Sequence, residues 1–281
     1  MNKFGDQQAG LSMIELLIAL AMSGFLIIGL SQIYLDHKRN YIFQQSQSAN
    51  LENSRFAVLI LDELLSKAGY RRAPYQPVSD AFPESTALNK HCETFAEKSV
   101  ISKVKVAAGS GQTGFCLRYQ PAVKGEFICD GSMAGLVQPT AFIYPEKAET
   151  VYIAVLFEPH SQEANEGALR CISKNSNVQL LTGLADMRVE FGTGQVDEKR
   201  LSHSMPFNTA ERWSERDSPI RVVRYSVLAA SRSNQRDGES KAYKQWLAAA
   251  SATSKTRLIA QDKKQLYQVV MSTQALRNMM P

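Results

Sequence analysis

Residues Gln7–Leu35 read QQAGLSMIELLIALAMSGFLIIGLSQIYL, and from Leu11 to Leu35 the single charged side chain is Glu15. About 20 apolar residues in a helix span a bilayer core of roughly 30 Å. Leu16–Leu35 meets that length. A cleaved secretory signal has a shorter apolar core, about 7–15 residues, closed by a small-residue site. This run is longer, no such site closes it, and its basic start is thin, with Lys3 offset by Asp6. The stretch therefore reads as a membrane helix.

A carboxylate in such a run is costly: insertion scales give about 2.5–3.5 kcal/mol for Asp at a helix centre. Glu15 lies near the end of the run, where the cost is lower. Two readings are open. Glu15 either sits at headgroup level without a role, or meets a cation. An amino terminus freed by a cut after Gly10 would be such a cation.

Gly10, Leu11 and Glu15 in GLSMIEL resemble the type IV prepilin pattern in order and spacing, although Leu11 stands where phenylalanine is usual. The resemblance implies that a prepilin peptidase cuts between Gly10 and Leu11 and N-methylates Leu11. It also implies that Glu15 pairs with the amino terminus of an adjacent subunit during polymerisation. Later stretches extend it: LENSRFAVLILDELLSKAGYRRA from Leu51, FCLRY from Phe115, ICDG from Ile128, ALRC from Ala168 and IRVVRYSVLAAS from Ile220 resemble the PilW-type minor pilins. The terminal STQALRNMMP also resembles the J-type minor pseudopilins of type II secretion.

The resemblance implies an α+β, pilin-like fold: a long N-terminal helix, membrane-spanning in its first half, packed on a mostly antiparallel β-sheet domain. The implied divisions are a leader over 1–10, a membrane and assembly half over 11–35, an amphipathic half over 36–68 and a periplasmic domain over 69–281. The implied role is a minor pilin that helps initiate a type IV pilus and is incorporated into it. Its implied partners are the prepilin peptidase, other minor pilins, the major pilin, the inner-membrane assembly platform and lipid. The alternatives are a minor pseudopilin of a secretion system, or a tip adhesin or DNA-uptake subunit. The resemblance implies a cytoplasmic N-terminus. The charges alone, Lys3 before the helix and Lys38 and Arg39 after it, favour the opposite orientation.

The 281 residues leave ample chain beyond the membrane run for a substantial core, and the apolar content is ordinary for a globular protein. A net charge of +5 without a long basic block makes no case for nucleic acid. Cys92, Cys116, Cys129 and Cys171 contain no C-x-x-C, and His37, His91, His160 and His203 are scattered, so no metal or other cofactor is indicated. An even cysteine count in an exported domain suggests two disulfides, for which three pairings are possible. Cys92–Cys116 with Cys129–Cys171 is favoured because each closes a moderate loop; free buried thiols are the alternative.

Helical signals continue past the membrane run. Ala57, Leu61, Leu64, Leu65 and Ala68 recur at helical spacing, Gly69 fits a C-cap, and Pro74 and Pro77 come soon after. One helix over about Ser12–Ala68 is expected, then a Pro-containing loop to Lys90. Strand-like stretches begin at Ser99, Thr113, Thr150, Ala168, Asp186, Pro219 and Leu266. ESKAYKQWLAAAS reads as a short surface helix with mobile polar flanks, Ser231–Ser240 and Ser251–Thr256. GSGQTG before Phe115 is a turn, lacking the Gly-Lys-Ser/Thr ending of a phosphate loop. No hydrolase or metalloprotease motif appears, GTGQVDEK lacks the dense oxygen ligands of a calcium loop, and Asp186, Glu190 and Asp197 read as carboxylates on a solvent-facing strand. The expectation is a structural protein, not an enzyme.

Overall fold

The computed structural model describes residues 12–135, 149–194, 206–210, 212–213, 219–232 and 234–279. The architecture is α+β: a long N-terminal helix and one antiparallel sheet. The chain divides into two compact units, one ending at Gln45 and the other beginning at Ser46. Helix α1, Met13–Lys67, contributes to both.

In the second unit α1 is amphipathic. Asn50, Ser54, Ala57, Leu61, Leu64 and Leu65 are buried, three or four residues apart and so on one stripe. The helix stops at Gly69, whose φ of 72° is the left-handed conformation that glycine adopts without steric cost. Gly69 N donates to Arg118 O at 3.0 Å, tying the helix end to a strand. A Cβ on Gly69 would lie 2.9 Å from the flexible Met279 side chain, which would have to shift, so the backbone conformation is what calls for glycine there.

Eight strands form the sheet: β1 Ile101–Lys103, β2 Thr113–Tyr119, β3 Val151–Glu158, β4 Gly167–Ile172, β5 Asn177–Thr193, β6 Phe207–Thr209, β7 Ile220–Ala230 and β8 Tyr267–Ala275. Their order is β1-β2-β3-β4-β5-β7-β8, with β6 on β5, and every pairing is antiparallel. Strand β5 serves two neighbours in succession. Its first half pairs with β4 and its second half with β7, with a register irregularity between Leu184 and Asp186. Gly183, at φ 89°, lies where α1 comes close: an added Cβ would meet Asn53 Nδ2 at 2.3 Å.

The helix covers one face of the sheet. Ala57, Leu61, Leu64 and Leu65 share a core with Phe115, Leu117, Ile153, Val155, Phe157, Met187, Val223 and Tyr225. The opposite face has two smaller cores. One lies under helices α3, Lys241–Ala249, and α4, Ala252–Gln261, and contains Leu228, Tyr243, Trp246 and Leu258. The other gathers Cys92, Phe95, Cys116, Ala154 and Ile172.

Three details differ from the sequence reading. Ser251–Thr256 is not a mobile flank: Ser251 caps α4, its hydroxyl accepting from Ser254 N. Asp186 is not on a solvent-facing strand; it is 1% exposed, because α3 and α4 lie over that face of β5. The Pro-containing loop includes a short helix, α2, Val78–Ala81.

Candidate assembly helix

The first unit of α1 presents its side chains to the surroundings. From Met13 to Leu35 every large apolar residue is at least half exposed, and Phe25 reaches 80%. Burying a side chain of this size is worth about 1.5–3 kcal/mol. More than a dozen such residues in one run therefore need an apolar medium, which lipid or other helices supply. By length and composition this is the one helix among the described residues able to cross a membrane.

Polar groups within the run are few, and some are satisfied internally. The Ser23 hydroxyl donates to Ala19 O at 2.7 Å, leaving no exposed donor to lipid. Gly24 and Gly29 have nothing within 4 Å of a built Cβ, so the helix surface is open at both positions. Glu15 lies in the first turn, its backbone N donating to Ser12 O at 3.0 Å. Among the described residues its carboxylate has no ion-pair partner. Gly10 and Leu11 lie outside the described residues.

The second unit holds all four cysteines as disulfides. Cys92–Cys116 and Cys129–Cys171 each have Cα atoms 6.0 Å apart. Cys116 and Cys171 sit on β2 and β4, whereas Cys92 and Cys129 sit in loops. Each bond thus fastens a loop to the sheet, an arrangement worth about 2–4 kcal/mol per bond by constraint of the unfolded chain.

Both loops have a polar lock beside the disulfide. Arg118 on β2 is fully buried, with no carboxylate partner among the described residues. Its guanidinium donates to Ser99 O at 2.7 Å, Pro83 O at 2.5 Å, Phe82 O at 3.1 Å and Ala96 O at 2.9 Å, between the rings of Phe82 and Phe95. Burial lowers its pKa from the ordinary arginine value, with Tyr152 opposing. Next to Cys129, Asp130 accepts hydrogen bonds from the hydroxyls of Ser132, Ser173 and Ser176. Burial alone would raise this carboxyl, but the hydrogen bonds outweigh it and hold the pKa below the usual value.

A third network fixes α3 and α4. Asp186 accepts from Trp246 Nε1 at 2.8 Å, Ser254 Oγ at 3.2 Å and Arg257 Nη2 at 2.8 Å. Burial pushes its carboxyl pKa up, against the pull of Arg257. The three donors come from α3 and α4, so the buried carboxylate clamps both helices to β5. Among the described residues no group of His, Cys, Asp and Glu could hold a metal ion. The GSGQTG turn, with Gly109 and Gly111 at positive φ, borders a cleft of about 720 Å³ with β5 and the start of α4. Its walls are mostly Ala, Gly, Ser and Thr. Asp197 and most of GTGQVDEK lie outside the described residues.

Sequence reasoning did not find the three locks. Arg118 and Asp186 sit in strand patterns that look ordinary, and their partners are remote in sequence. Asp130 followed by Ser132 was the one local signal, an Asx-type turn in which Ser132 N donates to Asp130 Oδ1 at 3.0 Å.

No protein-family model matches the chain. No curated protein matches it either. Among solved structures it is similar to a type IV-like pilin from Thermus thermophilus, with a TM-score of 0.40 and 10% identity over 83% of this chain and 98% of that one.

Proposed function

We propose that this chain is a type IV prepilin of the minor, PilW-like kind, which helps start a fibre and is built into it. The observation that supports the reading best is Glu15. It is the single charge of the apolar run, five residues beyond Gly10 and without a cation among the described residues of its own chain. In this reading a prepilin peptidase cuts between Gly10 and Leu11 and methylates Leu11. The new amine of one subunit then meets Glu15 of its neighbour. The apolar half of α1 rests in the inner membrane before assembly and among other subunits' helices afterwards. The domain beyond it faces the periplasm and then the cell surface. Its partners are the peptidase, other minor pilins, the major pilin and the assembly platform.

Low dielectric strengthens such a pair, and truncating one member of a buried interfacial pair costs about 2–5 kcal/mol. Comparing Glu15→Ala with the unaltered chain for membrane insertion, cleavage and recovery in sheared fibres tests the proposal. Normal insertion with lost recovery is expected. Full recovery would mean that Glu15 is a tolerated headgroup-level residue.

A further inference from the structure

The two outer strands of the sheet are protected very differently. Strand β1 has three residues, and Cys92 bridges to Val104 beside it, with Glu93 N donating to Lys103 O at 2.9 Å. Strand β8 is the opposite edge, and among the described residues it pairs only with β7. Proteins blunt a free edge with short length, charge, proline or a bulge, because its unpaired backbone is a template for another strand. Strand β8 has none of these. It has nine residues, YQVVMSTQA, no charge, no proline and an unbroken register with β7.

The register identifies the groups that face outward. Leu276 N donates to Arg221 O, and Ser231 N donates to Leu266 O, both at 2.9 Å. Residues 266 and 276 therefore form hydrogen-bonded pairs with the β7 side. In an antiparallel ladder such pairs alternate with non-bonded ones, so the even-numbered residues of β8 bond to β7. Tyr267, Val269, Met271, Thr273 and Ala275 turn their N–H and C=O groups to the open edge. No hydrogen bond from those backbone groups to a described residue occurs outside the sheet. Side chains do not close the edge either, since Val269 is 39% and Met271 65% exposed.

We infer that β8 is a docking strand that accepts an extended segment of a different protein by strand addition. Peptide backbone is the chemistry that matches a row of alternating donors and acceptors two residues apart. The edge has no charge to pair with one on its partner. The incoming segment therefore has uncharged side chains beside Val269, Met271 and Thr273. The inference does not depend on the fibre reading.

The full chain in detergent micelles is titrated into a fluorescein-labelled peptide of alternating threonine and valine. A second peptide, N-methylated at the residues whose N–H groups would face β8, serves as comparison. Expected results are saturable binding to the first peptide and binding weaker by at least about tenfold to the second. Slowed hydrogen exchange is expected at the Val269, Met271 and Thr273 amides. Met271→Pro should abolish binding while leaving the unfolding midpoint in place, because that N–H points away from β7 and edge strands tolerate proline there. Three results would overturn the inference: no saturable binding, binding indifferent to N-methylation, or the same amides already protected by self-pairing in the free chain.

Discussion

The Tyr225 hydroxyl on β7 donates to Asp62 Oδ1 on α1 at 2.6 Å, and Ser272 Oγ on β8 reaches the same carboxylate at 3.1 Å. Tyr225 is fully buried, so its hydrogen bond joins helix to sheet within the apolar core. Burial, reinforced by Asp62, pushes the phenol pKa well above its ordinary value. A hydrogen bond to a charged group is worth about 1.5–3 kcal/mol. Tyr225→Phe is expected to lose about that much in denaturant unfolding. Asp62→Asn should lose less, since its amide oxygen still accepts. A neutral result for Tyr225→Phe would mean that packing alone holds the helix.

Asp186→Ala is expected to cost about 3–5 kcal/mol, the usual penalty for leaving a buried charge without its partner. Arg257 would then lose its carboxylate, and Trp246 Nε1 and Ser254 Oγ would lose their acceptor. Asp186→Asn keeps the shape and part of the bonding and should cost less. Urea unfolding monitored by tryptophan fluorescence measures both. Equal, small losses would show that the clamp contributes little.

The main architecture was legible because it rests on local pattern. The apolar run of α1, its later stripe at Ala57, Leu61, Leu64 and Leu65, and the glycine stop are all sequence signals. Strands β2, β3, β7 and β8 were equally open to view, being rich in β-branched or aromatic residues. Helix α4 was missed because its buried face mixes Ser254 and Gln261 with Leu258, so it has little apolar period. The first half of β5 was missed because it is largely exposed, mixes polar residues with Val178, Leu180 and Leu181, and includes Gly183. The polar locks escaped for another reason. Asp186 bonds to residues 60 to 71 positions away, a relation that no periodicity encodes. Of the proposed processing site, the residues Gly10, Leu11 and Glu15 are a sequence signal alone.

Asp130 gives the domain an acid-dependent contribution with a definite sign. Its pKa lies below the usual 3.8 in the folded state. The folded chain then binds fewer protons than the unfolded chain, so the contribution is fully present above 3.8 and is lost as pH falls through the folded value. Ser173→Ala removes one of the donors and should move the carboxyl back toward 3.8. An NMR titration of the Asp130 carboxyl in both chains checks this. No upward movement would show that Ser173 does not support the charge.

A chain shortened to begin at Ser31 should fold, and one beginning at Gly69 should aggregate. The second lacks Ala57, Leu61, Leu64 and Leu65 and would expose the facing sheet residues Phe115, Leu117, Val155 and Tyr225. Light scattering and far-UV circular dichroism distinguish the outcomes. Equal solubility and stability of the two would contradict the packing of helix on sheet.

Whether this chain is a prepilin is decided at its mature N-terminus, which mass spectrometry reads. The protein is recovered from cells that make the peptidase, together with Gly10→Val, in which a β-branched side chain replaces the glycine hydrogen. The expected result is a chain beginning at Leu11 with a methylated amine, and an uncut chain for Gly10→Val. An intact Met1, or a terminus near Ser31, would overturn the prepilin reading.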